Sequence, residues 1–184
     1  MVRYRKINAE DIELITELYS VHLNSGESIS DSIRQAWNNG DFSGYIAEKG
    51  GEVIGFFAIR SGIAFTYPHP ELEREIADFS GDKKTGYCDA LLILPGYRSE
   101  GIARRLSQKS RRLLLKEGFE HFLVEIWIYP DGKAPSRKVF EEMGSVVFSR
   151  KADGFYSELE KYGMGCPVCG EHCVCGALIE IIKL

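Results

Sequence analysis

Residues 87–106, YCDALLILPGYRSEGIARRL, constrain the fold more than any other stretch of the chain. Leu91, Leu92, Ile93 and Leu94 form an unbroken apolar run, the pattern of a strand buried on both faces. Pro95 and Gly96 stop it. A turn, Arg98-Ser99-Glu100-Gly101, then opens onto Ile102, Ala103 and a helix expected to reach about Glu117. Strand, turn and helix in that order aim backbone N–H groups into one concavity. Those donors and the positive end of the helix dipole favour an anion, phosphate above all. Arg98 adds a charged donor, and Gly101 permits close approach of a ligand. The same residues would also serve as an ordinary strand-to-helix connection, since glycine-containing turns before helices are common.

A chain of 184 residues suits one domain, 1–184, with a substantial core. Its formal net charge of −4 gives no general attraction to nucleic acid or an anionic membrane. Arg104, Arg105, Lys109, Arg111 and Arg112 do cluster on the central helix, the last three reading as a solvated face. No apolar run is long enough to span a bilayer, and MVRYRKINAED lacks the apolar core of a signal peptide. The expectation is a cytoplasmic, reducing location, with no nucleic-acid or membrane partner. There the five cysteines read as ligands or free thiols rather than disulfides.

Taken in order, residues 3–7 suit a first strand. Asn8 is a good cap for a helix over 9–22; His22, near its end, needs no chemical role. Residues 24–27 break the chain. Ser30 and Asp31 can start a second helix with Ile33 and Trp37 on one face, closed at Gly40. Residues 44–48 and 52–59 form a hairpin about Lys49-Gly50-Gly51, with Gly55 marking a bulge or a close backbone approach. Residues 61–86 are irregular, broken by Pro68 and Pro70, with an acidic helix over 71–79. Gly118 ends the central helix. Residues 122–129, FLVEIWIY, are strongly strand-like. Glu125 interrupts that run, and a carboxylate there is costly unless it is paired or faces a cleft. Pro135 begins a further helix ended by Gly144. Strands over 145–149 and 177–184 complete the chain.

Between those last strands, residues 166–175 hold Cys166, Cys169, His172, Cys173 and Cys175. Cys-Pro-Val-Cys-Gly is a metal knuckle, a turn that points two thiolates at one centre, and Cys-x-Cys supplies two more. Tetrahedral zinc with four sulfurs is the leading reading, with His172 able to replace Cys173 or Cys175. An iron–sulfur cluster or a redox dithiol are the alternatives. Four protein ligands leave no open position, so the metal would be structural. Cys88, alone in a strand, reads as core.

The element order and the turn together resemble the GNAT superfamily of N-acetyltransferases, over nearly the whole chain. That superfamily's signature, V-x-P-x-x-R-G-x-G-[IV]-[GA], stands here from Ile93 to Ala103, with Ser99 where glycine is usual. The resemblance implies an α/β (α+β) fold: a mixed, mostly antiparallel central sheet flanked by helices, the acyl-CoA N-acyltransferase fold. It implies acetyl-CoA as co-substrate. Its pyrophosphate would lie on Arg98, Ser99, Glu100, Gly101, Ile102 and Ala103, with Arg104 a further contact. Its pantetheine would lie on Ile93 and Leu94, with further cofactor contacts at Ser136 and Phe140. The knuckle would fall in a connection that borders the acceptor site in relatives.

Acetyl transfer to an amine needs a base, because amines are mostly protonated at neutral pH. It needs an N–H donor for the oxyanion, and the leaving thiolate either takes a proton from a nearby acid or departs unassisted. Val124-Glu125-Ile126 resembles the L-E-V strand of the ribosomal-protein alanine N-acetyltransferase branch, which makes Glu125 the candidate base; the alternative is a solvent-facing glutamate. Asp89 and Glu52 are weaker candidates. Many relatives carry N-x-x-A-x-x-x-Y, whose tyrosine supplies the acid. Here Lys133, Ser136 and Phe140 occupy those positions and Phe140 cannot donate. Tyr156 and Tyr129 are the candidate acids. The expected acceptor is a primary amine, on a small molecule or on a peptide or protein, and the protein a monomer or homodimer. The competing expectation is a catalytically weak acyl-CoA-binding or protein-interaction module carrying a zinc knuckle.

Overall fold

The computed structural model describes residues 1–23, 27–62, 69–170 and 172–184. The expected break at 24–27 falls mostly outside the described residues, as does Pro68. The described strands are β1 (Val2–Lys6), β2 (Phe42–Lys49), β3 (Glu52–Ser61), β4 (Thr85–Ile93), β5 (His121–Ile128), β6 (Ser145–Ala152) and β7 (Gly176–Lys183). The helices are α1 (Ile12–His22), α2 (Glu27–Asn38), α3 (Pro70–Ser80), α4 (Ile102–Lys116) and α5 (Arg137–Glu141). Among the described residues, no helix is long and apolar enough to cross a membrane.

The strands form one sheet in the order β1-β2-β3-β4-β5-β7-β6. All neighbours are antiparallel except β4 and β5. That parallel pair follows from α4, which carries the chain from the end of β4 back to the start of β5. Side chains alternate across the sheet and feed two cores. On one face, Ile12, Ile15 and Tyr19 of α1, Ile29 and Ile33 of α2, and Leu72 and Ile76 of α3 cover Phe56, Leu92 and Leu123. On the other, Ile102, Leu106, Leu113 and Leu114 of α4 cover Phe57, Phe122 and Val124. Phe57 is fully buried and stacks on Phe122 at 6.0 Å; burial of such a ring stabilises by about 1.5–3 kcal/mol.

Asn8 does cap the first helical turn: its Oδ1 accepts from the Glu10 N–H at 3.0 Å, and Asp11 accepts from the Asn8 N–H at 2.8 Å. α2 begins at Glu27 rather than Ser30, because Ile29 extends the buried stripe by one turn. α5 is shorter than Pro135 and Gly144 suggest. Gly144 does not act as a helix cap: a Cβ there would come within 2.1 Å of the Lys183 carbonyl, so the glycine permits close passage over β7. Gly55 has the same role, a Cβ meeting the Leu92 carbonyl at 2.6 Å, and a register shift lies beside it. Arg111 is not merely solvated, since it donates to the Met143 carbonyl.

Candidate active site and thiolate centre

β4 and β5 pair only at Thr85–His121, Gly86–Phe122 and Tyr87–Leu123. Just beyond, β4 carries a bulge: Ile59 opposes Cys88 and Ala58 opposes Ala90, leaving Asp89 as the extra residue. A bulge bends its strand and increases its twist. β4 then stays with β3 as far as Ile93, while β5 stays with β7 as far as Ile128. The two strands part into a wedge, and Glu125 stands just past its vertex.

Glu125 is held between two tyrosines. The Tyr87 hydroxyl donates to its Oε2 at 3.0 Å and the Tyr156 hydroxyl donates to its Oε1 at 2.5 Å. Burial pushes the Glu125 carboxyl above its ordinary value, opposed by the two hydroxyl donors and reinforced by the nearby Asp89 charge. The residue as a whole keeps partial exposure, while its carboxylate is held by the two hydroxyls where the strands part. A carboxylate raised in this way is a better base near neutral pH. Asp89 is also raised by burial, despite an ion pair with Arg60 at 2.7 Å. Its second oxygen, Oδ2, makes no hydrogen bond among the described residues. Burial raises the Tyr87 hydroxyl well above its usual range, so it stays a donor.

At the open end of the wedge the phosphate-type turn is built from backbone. Ser99 has φ +65° and Gly101 φ +75°, and no side chain caps α4. The first N–H groups of a helix lack intrahelical acceptors, so those of Ile102, Ala103 and Arg104 are open to an anion. Arg98 donates from Nε to the Ile93 carbonyl at 3.1 Å, which ties the turn to the end of β4. Arg104 turns to Glu142 at 2.7 Å. The Leu94 N–H donates to the Ile54 carbonyl and the Leu94 carbonyl accepts from the Tyr97 N–H, while Ile93 pairs with Gly55 across the β3–β4 ladder. Ser136 is half-buried before α5. Phe140 lies in the core edge-on to Phe57 at 6.1 Å. Tyr129, half-buried just past β5, meets Trp127 at 6.4 Å. Glu52 is exposed beside the β2–β3 turn, opposite Lys49.

Tyr87, Arg60 and Trp127 escape a reading of the sequence alone. Arg60 left a signal, an arginine closing the apolar run IGFFAIR. Tyr87 left none, because its place beside Glu125 depends on a register across a parallel pair.

Cys166, Cys169, Cys173 and Cys175 converge, their sulfurs all within 4.8 Å of one another. Tetrahedral zinc with Zn–S near 2.3 Å sets sulfurs about 3.8 Å apart, and Cys169 and Cys175 are already at 3.5 Å. Backbone N–H groups of Val168 and Cys169 point at Cys166 Sγ, and that of Cys175 at Cys173 Sγ, each at 3.4 Å. Donors aimed at sulfur favour thiolates. The cysteines are free thiols, and His172 is exposed outside the cluster. The centre is no detached loop, because Cys166, Cys173 and Cys175 belong to the same core as α1 and α2.

The acetyltransferase (GNAT) family pattern matches residues 12–145, which take in the wedge, the turn and α4 and stop short of the cysteines. No curated protein sequence matches the chain. Arabidopsis thaliana NAA60 in complex with acetyl-CoA has the same fold, with TM-score 0.68, 18% identity, and coverage of 100% of this chain and 99% of that one. A NatC complex bound to Gag peptide and CoA gives TM-score 0.68 at 17% identity, covering 100% and 98%. The ribosomal-protein-S18-alanine N-acetyltransferase from Escherichia coli gives 0.60 at 12%, covering 100% and 94%. With the wedge, the uncapped helix start and the family pattern all falling on the same residues, the chain belongs to the acetyltransferase (GNAT) family.

Proposed function

We propose that this protein is an acetyl-CoA-dependent N-acetyltransferase acting on a primary amine, and that its four cysteines hold zinc. The observation that carries the catalytic reading is Glu125, a carboxylate raised by burial and gripped by two tyrosine hydroxyls where β4 and β5 part. The coenzyme pyrophosphate lies on residues 98–103, and the thioester enters the wedge along β4. The amine nitrogen bonds to the thioester carbonyl carbon. Its proton passes to Glu125, directly or through a water. The C–S bond then breaks, and the thiolate takes a proton through Tyr156, which already shares a hydrogen bond with Glu125. Tyr129 at the mouth of the wedge is the alternative donor. Backbone N–H groups of β4 freed from β5 stabilise the oxyanion.

A peptide or protein amine is the favoured acceptor. Two structures of this fold are NAA60 and NatC, the second solved with a peptide. Zinc would be structural, closing the β6–β7 connection with four sulfurs and no open position.

The test is release of free thiol from acetyl-CoA against N-terminal peptides, lysine peptides and small amines. Turnover with at least one amine class is expected. Acetyl-CoA binding without turnover across the panel would instead favour an acyl-CoA-binding module, the reading that Phe140 supports by offering no hydroxyl.

A further inference from the structure

The thiolate centre and the candidate base are joined by two contacts that meet on Tyr156. One runs through the backbone: the Tyr156 N–H donates to the Cys175 carbonyl at 3.4 Å. The other runs through Trp127. Its ring packs on Tyr156 with centroids 4.8 Å apart. Its Nε1 is buried and makes no regular hydrogen bond among the described residues. Trp127 also packs against the buried cluster that holds Cys175, and its strand pairs with β7 as far as Ile128–Gly176, the residue next to Cys175. Groups packed on a metal ligand orient it and are oriented by it. Tyr156 in turn donates to Glu125, and its other side packs edge-on against Phe155 at 5.0 Å.

We propose that occupancy of the four-cysteine site by a metal ion sets the position of Trp127 and Tyr156, and through them of Glu125, so that acetyl transfer depends on the metal. This rests on reading the cysteines as a metal site and Glu125 as the base. The metal takes no part in the chemistry. Filled, the site fixes Cys175, and Cys175 fixes Tyr156 from backbone and ring together. Empty, four thiols carry no common restraint, and the hydroxyl that holds Glu125 is free to turn away. Tyr156, the proposed proton donor, thereby also positions Glu125, and its own position is controlled from a centre that responds to metal supply or to oxidation of its thiols.

The experiment uses the full chain, reduced, stripped with a chelator and then reloaded with zinc. Bound zinc, the acetyl-CoA dissociation constant, kcat, and Trp127 emission are followed together. Emission is read in a Trp37→Phe background, which leaves Trp127 as the single tryptophan. Stripping is expected to lower kcat roughly tenfold, the worth of the Tyr156 hydrogen bond to a charged group. It should also change Trp127 emission and leave acetyl-CoA affinity unchanged; zinc restores kcat and emission. Trp127→Phe leaves a smaller ring and weakens the packing on Tyr156; it is expected to bind one zinc per chain and still lose several-fold in kcat.

If the reduced chain binds no zinc, the metal reading and this proposal fall together. Should it bind zinc yet keep kcat and emission when stripped, the coupling is overturned and the metal reading stands. Loss of acetyl-CoA affinity along with kcat would also overturn it, by showing that the metal supports the whole fold rather than Tyr156. If no amine is turned over, the acetyltransfer reading fails on its own, and the emission response still decides whether the metal controls Trp127.

Discussion

The turn at 98–103 and the pocket around Glu125 occupy the two ends of one wedge, yet they are made of different material. The turn is contiguous and built from backbone: two residues with positive φ, an uncapped helix start, and a single arginine tied back to β4. The pocket is built from side chains that arrive from β3, β4, β5 and the β6–β7 connection, and it buries charge. The difference teaches where each half is fragile. Backbone donors survive most side-chain changes. A buried carboxylate depends on each partner, because an unmet charge inside a protein is expensive.

The largest expected effect therefore lies in the pocket. Glu125→Gln keeps the shape and removes the proposed base; kcat is expected to fall about 10²- to 10⁴-fold with acetyl-CoA affinity unchanged by calorimetry. A fall below tenfold would break the contrast between the halves. Next comes Tyr156→Phe. A hydrogen bond to a charged group is worth about 1.5–3 kcal/mol, so its loss should cost roughly tenfold in kcat at neutral pH. It should also move the acidic limb of the rate profile upward, since the donor stabilises ionised Glu125. Tyr87→Phe acts in the same direction.

Stability should move oppositely to activity. The folded state raises the Glu125 and Asp89 carboxyls, so it binds their protons more tightly than the unfolded chain. The cost of ionising them is absent below the ordinary carboxylate range and grows as pH rises through the raised values. Urea unfolding of Glu125→Gln is accordingly expected to gain on the wild type as pH rises from 4 toward 7.

In the turn, Arg98→Ala should raise KM for acetyl-CoA about tenfold, the worth of one charged hydrogen bond, with kcat little changed. The smallest effect is Ser99→Gly. A non-glycine residue at φ +65° carries about 1–2 kcal/mol of strain, partly offset by the freedom glycine gains when unfolded. A rise of at most a few degrees in Tm is expected, and no change would sharpen the point that the turn tolerates its side chains.

The same contrast explains what could be read from the chain. The turn was legible because its geometry is local: Ile93 to Ala103 carry strand end, turn and helix start in eleven consecutive letters. Even the departure at Ser99 pointed to a position whose φ favours glycine. The cysteines were legible for the same reason, their spacing being that of a knuckle. Glu125 stood out as a charge in an apolar strand. What enclosed it did not, because Tyr87 meets it only through the β4–β5 register and Tyr156 only through the path of the β6–β7 connection. The shortened α5 had a related cause: Gly144 signals a helix end in sequence, while its reason lies in the carbonyl of Lys183.

The central claim is that Glu125 is the base of an acetyl-CoA-dependent N-acetyltransferase. The most direct measurement is the pH dependence of kcat/KM for thiol release, in the wild type and in Glu125→Gln, with an acceptor amine held saturating. The account predicts an acidic limb lying above the ordinary glutamate value of 4.5 in the wild type, and its disappearance in the variant together with the loss of rate. A variant that keeps both the limb and the rate would contradict it.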